Sequence, residues 1–230
     1  MGIKKVITLI LPERCILCGE IITDKTNFNP LCSACEAGLA SLQGNVCSTC
    51  GFPLISEVNN CLRCREVKFN YLSNRSVFKY HGSIKEIIYQ YKFNNRKSLS
   101  FYFAKILSDV LINNYPGSII VPVPGRKIVR KNRGWEHIDL IGKILKHKYK
   151  LPVQKLLIRK GKKAQKTLSR ENRAENLRKS IRIQKNIKTF PASVVLLDDV
   201  FTTGTTINEC AGILKSAGVE KIYSLTIAID

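Results

Sequence analysis

Two groups of residues in this 230-residue chain have types and spacings that could do chemistry. The first spans 194–206: Val194, Val195, Leu196 and Leu197, then Asp198 and Asp199, then Val200-Phe201 and the hydroxyl-rich run Thr202-Thr203-Gly204-Thr205-Thr206. Four consecutive aliphatics, two of them β-branched, read as a buried strand of a parallel sheet, and the carboxylates fall where such a strand should end. Thr206 begins a helical pattern (Ile207, Cys210, Ala211, Leu214) closed by Gly218. This order suits a phosphorylated sugar. Backbone N–H groups at a helix start and Thr hydroxyls suit a phosphate; paired carboxylates suit vicinal ribose hydroxyls or a Mg²⁺ shared with the ligand.

The second group is made of cysteine. Eight of nine cysteines form four C-x-x-C pairs: Cys15/Cys18, Cys32/Cys35, Cys47/Cys50 and Cys61/Cys64. Each such pair wraps two thiolates around one side of a tetrahedral zinc ion. With no secretory signal, disulfides are the weaker reading. The first and third pairs are each followed by glycine (Gly19, Gly51) and then an apolar pair; the second and fourth lack that glycine. The repeat favours two successive ribbons with one structural zinc each, and interleaved ligation is the alternative. Closed four-thiolate sites leave no open coordination position, so no catalysis is assigned to them. Cys210, on the apolar side of a helix, reads as a small buried hydrophobe.

These groups need a frame to hold them. A hydrophobic content of 44% and a charged content of 24% are those of an ordinary globular chain long enough to bury a core. The early apolar run at 6–11 is too short for a signal-peptide core or a membrane span, and no later run is long enough, so a cytoplasmic protein is expected. The periodicity predicts a strand over 75–80 and a helix over 83–93 with Ser83 and Glu86 as a capping box. Further helices are predicted at about 99–113, 135–147 and 170–178, and strands at 118–123, 153–158, 181–183, 194–197 and 221–227. Strands alternating with helices predict an α/β domain over 71–230, a mainly parallel sheet flanked by helices, behind a small zinc-ribbon module over 1–70.

Charge is unevenly spread. The chain carries 38 Lys/Arg against 17 Asp/Glu, a net +21, yet residues 1–70 are nearly neutral, with seven basic and six acidic residues. Residues 126–188 hold 22 Lys/Arg against Glu136, Asp139, Glu171 and Glu175, a net +18. A field so concentrated attracts polyanions. Trp135 and Tyr149 are aromatics in this basic region that could stack on bases. His81, His137 and His147 have no ligand or triad spacing and are assigned no role.

A second ligand element is Val121-Pro122-Val123-Pro124-Gly125-Arg126-Lys127. Prolines fix its turn, Gly125 allows close backbone approach, and Arg126 and Lys127 suit diphosphate oxygens. The 194–206 stretch resembles the phosphoribosyl-pyrophosphate (PRPP) loop of type I phosphoribosyltransferases, and Val123, Pro124, Gly125, Arg126 and Lys127 resemble their pyrophosphate loop. That likeness implies PRPP, with Mg²⁺, held by Asp198, Asp199, Thr202, Thr203, Gly204, Thr205 and Thr206.

Over nearly its full length the chain is identified as a member of the ComF family, a cysteine-rich zinc module fused to a phosphoribosyltransferase-like domain. The likeness rests on the C-x-x-C pairs, Tyr91-Lys92-Phe93, 121–124, Arg133-Gly134 before Trp135, Gln165 with Leu168, Arg173 and Asn176, and 194–206. Glu136 and His137 depart from it, standing where the family shows Asn and Gln. The resemblance implies a role in natural transformation, handling imported single-stranded DNA at the inner face of the membrane beside the uptake machinery. DNA-import or recombination proteins would dock on the zinc module. Arg130, Lys131, Arg133, Lys160, Lys162, Lys163, Gln165, Lys166, Arg170 and Arg173 are the candidates for contacts to DNA or for a loop closing over the ligand. The alternative is an active Mg²⁺-dependent phosphoribosyltransferase, for which the sequence offers no acceptor.

Overall fold

The computed structural model describes residues 13–22, 29–39, 41–42, 44–55, 59–125, 135–159 and 180–230. Two zinc-ribbon units come first and repeat one another bond for bond. In the first, Cys15 N–H donates to Glu20 O (2.8 Å) and Gly19 N–H to Cys15 O (2.9 Å); in the second, Cys47 N–H donates to Phe52 O and Gly51 N–H to Cys47 O, both 2.8 Å. Gly19 and Gly51 share φ 76°, the left-handed turn that a side chain would resist. The plain knuckles instead open one-and-a-half-turn helices, α1 (Ser33–Ala37) directly after Cys32 and α2 (Leu62–Glu66) directly after Cys61.

The α/β segment begins with β1 (Ser73–Lys79), α3 (Gly82–Phe93), α4 (Leu99–Asn114), β2 (Ile119–Pro122) and α5 (His137–His147). It continues through β3 (Leu157–Arg159), β4 (Ile181–Ile183), β5 (Ser193–Phe201), α6 (Thr205–Ser216) and β6 (Lys221–Ile229). Four strands form one sheet in the order β1-β6-β5-β2, every pair parallel. β3 and β4 make a separate antiparallel pair.

Alternation along β5 divides the core between the two faces of the sheet. Val195 and Leu197 pack with Ile87, Tyr91, Phe103, Leu107 and Leu145 of α3, α4 and α5; Val194 and Leu196 pack with Ile207, Ala211 and Leu214 of α6. The fully buried Cys210 joins this second cluster as an apolar side chain. The ribbons join different clusters: Cys15, Ile22 and Leu31 the first, Cys47 and Cys50 the second. Between the ribbons, Leu42 N–H donates to Val77 O at 2.9 Å, and Asn74 N–H of β1 donates to Thr49 O at 2.7 Å. Backbone groups of an exposed edge strand are thereby paired.

Three expectations are corrected. Ser83 lies inside α3, whose N-cap is His81 with no side-chain cap bond, and Glu86 accepts from Gln90 Nε2 (2.6 Å) instead. The 153–158 strand shrinks to β3, because the chain touches the sheet only through a Val153–Ile120 bridge before turning away to pair with β4. Asp198 and Asp199 lie within β5 rather than beyond it, since β6 accompanies the strand to Phe201. The helix predicted at 170–178 falls outside the described residues. Among the described residues no helix is long and apolar enough to cross a membrane.

Candidate ligand and metal sites

β2 and β5 are neighbours, and the bond from Val123 N–H to Leu197 O (2.9 Å) carries their pairing to the carboxyl edge of the sheet. The 123–125 turn and the 202–206 loop therefore leave the sheet side by side, at the edge where ligands bind in open α/β folds. Gly204 is the N-cap of α6 with φ 68°. A Cβ there would meet the Phe201 ring at 2.6 Å, with the Tyr71 hydroxyl at 3.3 Å, so both space and backbone demand glycine. Tyr71 is buried, and its hydroxyl makes no hydrogen bond among the described residues. Thr203 and Thr205 hydroxyls lie 2.8 Å apart at the helix start, and Asn208 N–H returns to Gly204 O at 2.8 Å. The loop thus presents hydroxyls and helix-start N–H groups together.

The acidic pair is electrostatically unequal. Asp199 Oδ2 receives Lys92 Nζ at 2.9 Å and also His137 Nε2; a carboxylate can only accept, so His137 carries the proton on that nitrogen. Burial opposes ionisation of Asp199, but His137 and Lys92 outweigh it and hold the carboxyl below its ordinary range. Among the described residues no cation pairs with Asp198, which accepts the Asp199 N–H. Burial first, and then the Asp199 charge beside it, raise its carboxyl to about 8. One member of the pair is thus a fixed anion, while the other is readily protonated.

His137, assigned no role from the sequence, is therefore part of the site. Its neighbour Glu136 accepts the Gly125 N–H of the other loop. These two residues, consecutive at the start of α5, tie it to the 123–125 turn and to Asp199 of β5 respectively. Their departure from the family amides marked the positions; no sequence signal supplied their partners. Lys92 sits in the Tyr91-Lys92-Phe93 run, and Tyr91 fixes the same corner by donating from its hydroxyl to His137 O at 2.6 Å. Arg63, between two zinc-ligand cysteines, donates from Nη2 to Thr203 O and was also missed. Trp135 is committed inward, with Nε1 donating to Asn95 Oδ1 (2.8 Å) and its ring 5.3 Å from Tyr91.

Of the sequence-predicted site residues, Asp198, Asp199, Thr202, Thr203, Gly204, Thr205, Thr206, Val123, Pro124 and Gly125 come together at this edge. Arg126, Lys127, Arg130, Lys131, Arg133, Lys160, Lys162, Lys163, Gln165, Lys166, Arg170 and Arg173 lie outside the described residues.

The cysteines cluster sequentially, not interleaved: Cys15, Cys18, Cys32 and Cys35 in one group, Cys47, Cys50, Cys61 and Cys64 in the other, all Sγ atoms of a group within 4.8 Å of one another. The Cys18–Cys32 and Cys50–Cys61 Sγ separations are both 3.7 Å. Tetrahedral zinc with bonds of about 2.3 Å requires an edge of about 3.8 Å, so the groups fit two zinc ions. The first cysteine of each ribbon is prepared as a thiolate. Burial works against this, but backbone N–H groups of the knuckles bring Cys15 and Cys47 to about 6. Cys61 N–H, for example, lies 3.4 Å from Cys47 Sγ.

A double zinc ribbon domain family matches residues 6–65. Competence protein ComFC of Streptococcus pneumoniae is 26% identical over 227 residues, covering 93% of this chain and 99% of that protein. Competence protein F of Haemophilus influenzae is 28% identical over 220 residues, covering 91% and 93%. DNA utilization protein YhgH of Salmonella typhimurium is 26% identical over 224 residues, covering 93% and 96%. A hypoxanthine phosphoribosyltransferase structure from Staphylococcus aureus is 18% identical and covers 56% of this chain and 62% of that one; its TM-score of 0.32 is too low to bear on fold or function. Fold and site together define a double-zinc-ribbon protein carrying a parallel α/β domain with loops gathered at one sheet edge. Over nearly its full length the chain is similar to competence and DNA-utilization proteins.

Proposed function

We propose that this protein binds PRPP with Mg²⁺ at the carboxyl edge of its sheet and binds single-stranded DNA, acting in DNA uptake on the cytoplasmic side of the membrane. The observation that carries the PRPP reading is the adjacency of the 123–125 turn and the 202–206 loop, tied by the Val123–Leu197 hydrogen bond. A diphosphate and a ribose phosphate need two such loops at once, one for each end of the ligand. The α6 N-terminus and the Thr203 and Thr205 hydroxyls would hold the 5′-phosphate, and Asp198 and Asp199 the ribose. Mg²⁺ would neutralise the diphosphate, with Arg126 and Lys127 as its further partners in sequence.

The DNA reading is supported by the net +18 over 126–188, more than one small diphosphate requires. The competence and DNA-utilization names of the relatives agree with it. DNA-import or recombination proteins are the proposed partners of the zinc module. Calorimetric titration with Mg²⁺–PRPP tests the first half. Saturable binding to wild type that is lost in Asp198→Asn/Asp199→Asn is expected, and undiminished binding by the variant would place the ligand elsewhere. For DNA, affinity should fall steeply between low and moderate salt.

A further inference from the structure

The second zinc ribbon leaves an apolar groove against the phosphate-suited loop. A cavity of about 640 Å³ lies between Phe52, Ile55 and Leu62 on the ribbon and the strand ends at Phe201-Thr202 and Ile229-Asp230. Its size is that of a small-molecule site. Ile55 is 109% exposed, Leu62 76% and Phe52 43%, three large apolar side chains facing water in one place. Such clustering marks a binding surface more often than chance. Arg63 and Arg65 line the same groove; the Arg63 guanidinium lies 5.8 Å from the Phe69 ring centroid and also donates to Thr203 O.

We infer that this groove receives a nucleobase of a bound single strand, a step that rests on the DNA-binding half of the function proposed above. A nucleotide unit is an apolar, planar ring on one side and an anion on the other. The groove and the 202–206 loop present the complementary pair of chemistries side by side and share Thr202. Stacking on apolar and aromatic walls is tolerant of base identity, and arginine adds attraction both to the ring and to the flanking phosphates. Arg63 and Arg65 each bond a backbone carbonyl, Thr203 O and Asn60 O, which leaves their positive charge for an anion, whereas a phosphate alone would leave Ile55 and Leu62 in water. The second ribbon is thus a base-contacting element although residues 1–70 are nearly neutral.

The test uses the full-length, zinc-loaded protein, an oligothymidylate and an abasic strand of equal length and charge. Wild type should prefer the base-bearing strand by roughly 5- to 150-fold for each stacked base. Ile55→Ser/Leu62→Ser, which alters two exposed side chains, should lose that preference, retain its zinc and keep the wild-type affinity for the abasic strand. Equal affinity of wild type for both strands overturns the inference and leaves the groove to a protein partner. So does a preference that survives in the double variant. Thymidine displacing the strand at matched base concentration would assign the groove to a free nucleoside and overturn the strand assignment. If neither strand binds wild type, the DNA-binding reading itself falls and takes the inference with it.

Discussion

Arg63, in the last zinc knuckle, donates a hydrogen bond to the carbonyl of Thr203, 140 residues further along the chain. The same knuckle carries Cys61 and Cys64, so the second metal site and the phosphate-suited loop are one bonded unit. Asn70 reinforces the junction: its N–H donates to Asn208 Oδ1 at 2.7 Å, in the first turns of α6.

The first expectation follows directly. The protein should hold two zinc ions per chain by metal analysis, and Cys47→Ser should retain about one. Arg63→Ala should keep both ions yet weaken Mg²⁺–PRPP binding by about 10-fold, the scale of one charge-assisted hydrogen bond. Unchanged affinity in Arg63→Ala would show that the contact does not position the loop.

His137 should matter to the ligand more than its lack of motif suggests. Replacing it with alanine removes one of the two donors on Asp199 and should weaken Mg²⁺–PRPP binding by about 10-fold. His137→Gln restores an amide donor and should recover most of the loss. Titration calorimetry separates the three proteins, and equal weakening by Ala and Gln would argue against positioning through a hydrogen bond.

Asp198 should impose a pH dependence on stability. Its folded-state carboxyl is raised from 3.8 to about 8, so between those values the unfolded chain has lost the proton that the native state retains. Stability therefore falls as pH rises through that window. Asp198→Asn removes this loss. The midpoint difference between variant and wild type should grow from pH 4 to 8 in thermal scans without ligand, and a constant difference would contradict the assignment.

Two glycines should resist alanine strongly. A Cβ at Gly204 meets Phe201 at 2.6 Å and one at Gly51 meets the Asn74 carbonyl oxygen at 2.7 Å, both on positive-φ backbone. Each substitution should cost about 1–3 kcal/mol in denaturant unfolding. Gly117→Ala, also at positive φ but with nothing within 4 Å, should cost less.

Much of the fold was legible because its signals are local. The aliphatic run of β5, the threonine-glycine loop after it and the helical repeat beyond lie within about two dozen residues, and short-range pattern suffices to read them. The four C-x-x-C pairs likewise carry zinc chemistry in their own spacing. Strand ends were read less well, because the last residues of β5 depend on β6 for their partners.

By itself the sequence held the residue types and their spacing: eight thiols in pairs, and an acidic pair ahead of a threonine-glycine loop. Its glycine-knuckle repeat favoured sequential over interleaved cysteine ligation, and the folded chain gathers the thiols that way, with Cys15 in one core cluster and Cys47 in the other. The sequence could not tell which acid of Asp198-Asp199 is charged, since Lys92 and His137 are distant in sequence and meet Asp199 only when α3 and α5 pack on the same face. Residue type and spacing are written along the chain, whereas desolvation and pairing depend on which distant groups the closed core brings within a few ångströms.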